Sequence, residues 1–345
     1  LILEGEKVGA VVAVLGAGSW GTALAALLAD NGHRVQLWAR DPALIRNIAE
    51  DRENRRYLPG IALPDSIAPT AEMERALAGA DAVVFAVPSG AMRAVAEQAS
   101  PYLPPGTLLI SAAKGLEEES GLRMSQVLTE ALGSAVGPVV ALSGPNLALE
   151  MAREAPTASV AASGDIEAAR AVQRLFSHQA TPTFRLYTSR DLIGVELGGA
   201  IKNVIAIGAG VSDGLGYGDN AKSALMTRGL TEAVRLGTAQ GADPQTFMGL
   251  SGVGDLIATG ASRLSRNYRV GYALGQGRTL PDILAELGQV AEGVPTTHVL
   301  CELARRSAVE VPLCTALYGL LFEGRTAPEV IRTLMLRPPG HEGPL

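Results

Sequence analysis

Basic residues do not outnumber acidic ones in this chain. Lys and Arg number 29 against 35 Asp and Glu, a formal net charge of -6. That balance excludes a nucleic-acid partner held through general basic charge, so any anion must be bound locally. Cysteine is almost absent. Cys301 and Cys314 have neither CxxC spacing nor neighbouring histidines, and the setting "PLCTALYGLL" puts Cys314 in a core, so a reducing, cytoplasmic compartment is expected. The four histidines, at positions 33, 178, 298 and 341, form no spaced ligand set, and no metal is expected. No apolar run reaches the roughly 18–20 residues that span a bilayer, which predicts no integral membrane segment. There is no repeat of fixed period and no low-complexity tract, and the tail "RPPGHEGPL" is expected to fray. The chain opens without methionine and its first seven residues carry no legible signal. "KVGAVVAVLGAG" has a lysine before a short apolar run, but Glu4 and Glu6 spoil the positive flank of a signal peptide.

What is present suits a globular protein of two domains: 345 residues, 47% apolar and 19% charged. Val11–Leu15 is an apolar, β-branched run, "GAGSWG" follows with Gly16, Gly18 and Gly21, and "TALAALLADNG" reads as a helix closing at Gly32. Strand, glycine turn and helix in that order predict a dinucleotide cradle. Gly16 makes the tight turn, Gly18 lets backbone approach a pyrophosphate, and Gly21 allows close helix-to-strand packing. The second strand, "RVQLW", ends at Arg40 and Asp41, where a ribose or a 2′-phosphate would lie; "RDP" also reads as a helix N-cap followed by proline. Either NADP or NAD is permitted. Further strands end near Pro88-Ser89, Lys114 and Gly144-Asn146, and their alternation with helices predicts an α/β fold with a parallel sheet that binds ligands at its carboxyl edge. Lys114 reads there as an anion contact or as an exposed loop lysine.

After Tyr187 the texture turns to long stretches of Ala, Leu and Gly. The boundary is set near residue 188, giving a nucleotide-binding domain over 1–188 and a helical domain over 189–345. "SRDLIGVELGGAIKNVIAIGAGVSDG" reads as one buried helix with Ser189 as its N-cap. Lys202 sits in its middle and must snorkel, pair with a carboxylate or face a cleft. Burial disfavours an ammonium, so such a lysine can be tuned to move protons near neutral pH. "GLSGVGDLIATG" sets Gly249, Gly252 and Gly254 ahead of Asp255, with the glycines expected to bring backbone close to ligand. "SRLSRNYRVG" offers Ser265, Arg266 and Asn267, either a phosphate pocket or a solvated helix start.

Taken together, "GAGSWGTALA", "VPS", "AAKGLE", "SGPN", "GVELGGAIKNVIAIGAG", "DGLGYGDNAKSALMTRGLTE", "GLSGVGDL", "SRN" and "VAEGVPT" closely resemble the bacterial NAD(P)-dependent glycerol-3-phosphate dehydrogenase family, from about residue 11 to 335. The resemblance implies a Rossmann-type parallel-sheet N-terminal domain and an all-α C-terminal domain. It implies reversible reduction of dihydroxyacetone phosphate to sn-glycerol 3-phosphate for glycerophospholipid synthesis, with Lys202 as general acid and base. By resemblance, the cofactor is contacted by Ser19, Trp20, Arg40, Lys114, Ala148, Arg266, Val290 and Glu292. The substrate is contacted by Lys114, Gly144, Asn146, Lys202, Asp255, Ser265, Arg266 and Asn267, and a homodimer would be ordinary. One departure stands out: where the family usually reads Ser-Gly-Pro-Ser/Thr-Phe-Ala, this chain has Asn146 and Leu147. An amide can still donate to a substrate oxygen.

Two rivals follow from the same residues. A dehydrogenase of the same plan acting on a hydroxy acid or a ketopantoate-like substrate is disfavoured by the Ser-Arg-Asn cluster and "GLSGVGDL". A non-enzymatic redox sensor is disfavoured by Lys202, since a sensor needs no proton shuttle.

Overall fold

The computed structural model describes residues 9–133, 137–177 and 183–338. The first seven residues, His178, His341 and the tail beyond Pro338 lie outside the described residues. Ten strands precede the helical half: β1 Val11–Leu15, β2 Arg34–Trp38, β3 Glu53–Asn54, β4 Leu58–Ala62, β5 Ile67–Thr70, β6 Ala82–Phe85, β7 Leu108–Ser111, β8 Val139–Ser143, β9 Thr157–Ala162 and β10 Phe184–Ser189. Eight of them form one sheet in the order β10-β9-β8-β7-β6-β1-β2-β5, and β3 pairs with β4 in a separate antiparallel hairpin. β1, β6, β7 and β8 are almost fully buried, as runs such as VVAVL and VVALS require, because helices cover both faces. The sheet is mostly parallel. The exception is β8 against β9, which is antiparallel and sends β9 and β10 back against the other strands. The connection between β8 and β9 carries only the short helix Ala148–Ala152.

From Leu192 onward every described regular element is helical. The helix Leu192–Gly214 is buried from Gly194 to Ser212 and forms the axis of this half. Its N-cap is Asp191, whose carboxylate accepts from Gly194 N at 2.9 Å, and not Ser189, which ends β10 and is therefore held in extended backbone. By length and composition this helix could cross a membrane, contrary to the expectation that no apolar run is long enough. It is instead a core helix, with 83% of its most apolar stretch buried inside the protein.

Glycine sets how closely its neighbours approach. A Cβ at Gly210 would lie 2.1 Å from Tyr268 O, and one at Gly271 would lie 1.9 Å from Ile207 O, so the helix Arg266–Gly275 rests backbone against backbone on the central helix. That contact brings the Ser265–Asn267 corner beside Lys202. Around it, Leu197, Ile201, Val204, Phe247, Val270, Leu300, Leu313 and Leu317 belong to one buried cluster. Each fully buried aliphatic side chain of this kind stabilises by about 1.5–3 kcal/mol.

Candidate active site

Lys202 has its Nζ in a pocket of oxygens. It donates to Asp255 Oδ1 at 2.9 Å and to Thr259 Oγ1 at 2.6 Å, and Thr259 in turn donates to Asp255 Oδ1 at 3.1 Å. Only 8% of the residue is exposed. Burial is the main cause that lowers its pKa to about 8; Asp255 opposes the fall, while the charges of Lys114 and Arg266 add to it. Asp255 is held below the usual carboxylate range: burial raises its pKa, but the two ammonium groups outweigh burial. Of the three fates the sequence left for Lys202, the structure shows pairing with a carboxylate, and the buried ammonium does not snorkel.

Lys114 reaches the other oxygen of the same carboxylate. Its Nζ donates to Asp255 Oδ2 at 2.9 Å, to Gly144 O at 2.7 Å and to Asn146 Oδ1 at 3.4 Å. It is therefore no exposed loop lysine. Gly144 has φ +139, and a Cβ there would meet Ser159 Cα at 2.9 Å, so the carbonyl that receives Lys114 depends on glycine. Asn146 Nδ2 donates to Ser159 Oγ at 2.6 Å, so the amide ties Lys114 to β9.

Asn203, next to the lysine, fastens three elements. Its Nδ2 donates to Lys114 O at 2.9 Å, its Oδ1 accepts from Asn267 Nδ2 at 2.8 Å, and Asn267 Oδ1 accepts from Gly293 N at 2.9 Å. Ser265 caps the helix Arg266–Gly275 through Tyr268 N at 3.2 Å. Two members of the Ser-Arg-Asn cluster are thus buried and engaged in shaping the corner, while Arg266 stands exposed at the helix start. Glu292 interacts electrostatically with Arg266.

The glycine turn lies at the carboxyl end of β1. Gly16 has φ +122 with Ala86 O 2.7 Å from a Cβ position, and a Cβ at Gly21 would sit 1.8 Å from Gly16 O. Gly18 has nothing within 4 Å of its Cβ position, which leaves its backbone open to an approaching group. Beside it, the indole Nε1 of Trp20 is buried without a hydrogen-bond partner. An open glycine and an orphaned donor at a helix start fit a bound pyrophosphate dinucleotide. Ser19 Oγ donates to Tyr57 O at 2.6 Å. Arg40 is exposed after β2, and Asp41 caps the next helix through Ala43 N at 2.9 Å. Ala148 is half-buried at the helix start after β8, and Val290 is 43% exposed. Glu292 accepts from Ser89 N at 3.0 Å and from Ser89 Oγ, across from the "VPS" turn, and burial raises its pKa against those bonds.

Gly252 does not serve as a ligand-facing glycine. A Cβ there would lie 2.0 Å from Phe247 O, so it closes the π-helical turn Leu250–Gly254 that aims Asp255 inward. Thr259, Asn203, Ser89 and Ser159 were given no role by sequence reasoning. Thr259 lies four residues after Asp255 on one helix, and that spacing was the only available signal. Asn203 adjoins Lys202 in the chain, while Ser89 and Ser159 meet the site only through tertiary contacts.

Comparison with known proteins agrees with this geometry. The NAD-dependent glycerol-3-phosphate dehydrogenase N-terminus matches residues 11–169, and the C-terminus of the same family matches residues 191–332. A glycerol-3-phosphate dehydrogenase [NAD(P)+] of Pelotomaculum thermopropionicum is 51% identical over 332 residues, covering 96% of this chain and 94% of that protein. One of Geobacillus thermodenitrificans is 48% identical over 326 residues, 94% of each chain. The crystal structure of glycerol-3-phosphate dehydrogenase from Coxiella burnetii superposes with TM-score 0.91 at 36% identity, covering 96% of this chain and all (100%) of that one. A ketopantoate reductase of Ralstonia eutropha, at 17% identity and TM-score 0.58, shares the fold alone. The chain belongs to the NAD-dependent glycerol-3-phosphate dehydrogenase family.

Proposed function

We propose that the chain reversibly reduces dihydroxyacetone phosphate to sn-glycerol 3-phosphate, with Lys202 as the proton donor and acceptor. The observation that carries this reading is the buried Lys202 ammonium, held by Asp255 and Thr259 with its pKa lowered to about 8. A group titrating there donates a proton to a developing alkoxide and takes one from an alcohol at ordinary pH. When bound, the nicotinamide cofactor, NADP or NAD, supplies or takes the hydride at the central carbon. Gly16, Gly18, Ser19, Trp20 and Gly21 would hold its pyrophosphate end, and Arg40 its adenosine. Lys114, Ala148, Arg266, Val290 and Glu292 would border the rest.

Arg266 and the amino end of its helix grip the substrate phosphate, with Ser265 and Asn267 shaping that corner. Lys114, with Gly144 and Asn146 behind it, orients the hydroxyl oxygens. Asp255 keeps both lysines in place, and the lysine charges stabilise the oxygen as negative charge develops. The division into a nucleotide-binding unit, 1–188, and a substrate-binding unit, 189–345, belongs to this reading, as do a cytoplasmic homodimer and a role in making glycerophospholipid backbone. Absorbance of NADPH and NADH, followed with dihydroxyacetone phosphate and with ketopantoate, tests it. Oxidation driven by ketopantoate and not by dihydroxyacetone phosphate would overturn the substrate assignment.

A further inference from the structure

A cleft of about 290 Å³ opens beside the helix Arg266–Gly275, with neither Asp255 nor Lys202 in its lining. Its rim carries Arg263 and Arg269, and its floor is Ala273, Ile283 and Leu287 with the Tyr272 ring alongside. Among the described residues, neither Arg263 nor Arg269 is ion-paired with a carboxylate. The third guanidinium of the cleft, Arg278, shows the contrast: it is neutralised by Glu286 at 2.6 Å. The aromatic wall is fixed. Tyr268 and Tyr272 stack with ring centroids 6.3 Å apart, and the Tyr268 hydroxyl donates to Asp213 Oδ2 at 2.6 Å, which is itself paired with Lys222.

Unpaired guanidiniums beside an apolar floor recognise a molecule with two unlike ends. Guanidinium forks match the oxyanion of a phosphate or carboxylate. An aliphatic floor and a fixed phenol ring suit a short hydrocarbon or aromatic body, and the cleft approaches the lower size of small-molecule sites, about 300 Å³. We propose that this cleft is a second binding site, separate from the reaction centre, for an amphipathic organic oxyanion such as an alkyl phosphate. The head lies between Arg263 and Arg269, and the body lies on Ala273, Ile283 and Leu287. Its occupant touches the helix whose first residue, Arg266, is near enough to Lys202 for its charge to act on that ammonium.

Hexyl phosphate is the probe, titrated calorimetrically into the full chain, into Arg263→Ala/Arg269→Ala and into Arg266→Ala. Both rim arginines are exposed, so the double variant is expected to fold and to keep its basal activity. Saturable binding should survive Arg266→Ala and weaken at least about tenfold in the double variant, as loss of charge-assisted hydrogen bonds requires. Inorganic phosphate and hexanol should each bind at least about tenfold more weakly than hexyl phosphate, because each offers one end only. Loss of binding in Arg266→Ala would assign the probe to the reaction centre and overturn the proposal. So would undiminished binding in the double variant, or inorganic phosphate binding as tightly as hexyl phosphate.

Discussion

Lys114 and Lys202 share one carboxylate: each ammonium lies 2.9 Å from a different oxygen of Asp255. Two cations on one anion leave a net positive charge in a buried place, which is costly unless a ligand oxygen uses it. The strand end after β7, the central helix and the turn before Asp255 must all be in position for the three groups to meet. Lys202→Met should lower kcat by about 10²–10⁴-fold, the usual size of a general acid-base contribution, with cofactor affinity nearly unchanged. Turnover and cofactor titration on the purified, folded variant check it; an unchanged kcat would remove the proton-transfer role.

The pH dependence follows from the lowered Lys202 pKa. Reduction needs the ammonium, so its kcat/KM should fall as pH rises through about 8. Oxidation needs the free amine, and its kcat/KM should climb through the same region. Initial rates in both directions from pH 6 to about pH 10 test the pair. Profiles that move together would place the titrating group elsewhere.

Arg40→Ala should weaken NADPH more than NADH, because only NADPH presents a 2′-phosphate to a guanidinium. The side chain is exposed after β2 while Asp41 is occupied in capping the next helix. Equal losses, measured by fluorescence titration of each cofactor, would leave Arg40 a packing role only.

Arg266→Ala should lower kcat as well as raise KM, since a held phosphate orients the carbonyl against Lys202. Unphosphorylated dihydroxyacetone should be a poor substrate for the unaltered protein and suffer little further from the change. Assays run at saturating NADPH separate this from cofactor loss. A similar loss towards both substrates would show that Arg266 does not anchor the phosphate.

Glu196→Ala should be severely destabilising. Glu196 is buried and receives Arg123, Ser125 N at 2.7 Å and Ser125 Oγ at 2.7 Å, pinning the segment that follows Lys114 to the central helix. Burial raises its pKa, and Arg123 and Ser125 oppose the rise. Removing one partner strands the other, at a cost of about 3–5 kcal/mol. Urea unfolding measures it, and a midpoint unchanged from the parent would show that the pair is dispensable.

Local pattern made much of this legible. β1, the glycine turn and the following helix could be read from the apolar run and the spacing of Gly16, Gly18 and Gly21, because the turn's positive φ at Gly16 and the passage of Gly21 over the Gly16 carbonyl arise within one short stretch. The long buried helix around Lys202 was legible for the same reason, although its cap was not: Ser189 and Asp191 are both good capping residues, and only the extension of β10 to Ser189 decides between them. The reversal of β8 against β9 leaves no mark in either strand, since neither the buried run of β8 nor the half-buried small residues of β9 carry a direction.

By itself the sequence determined the strand, glycine turn and helix of the nucleotide cradle, the central strands of the sheet and the presence of an ionisable group inside an apolar helix, since these depend on residues close together in the chain. Only the tertiary structure decided what that group meets. Asp255 and Thr259 lie 53 and 57 residues from Lys202, and Lys114 reaches Asp255 across 141. Their meeting depends on backbone contacts at Gly210 and Gly271 and on the amide link from Asn203 to Asn267. A lysine's proton affinity follows from its burial and from the charges around it, and neither exists until the chain has closed.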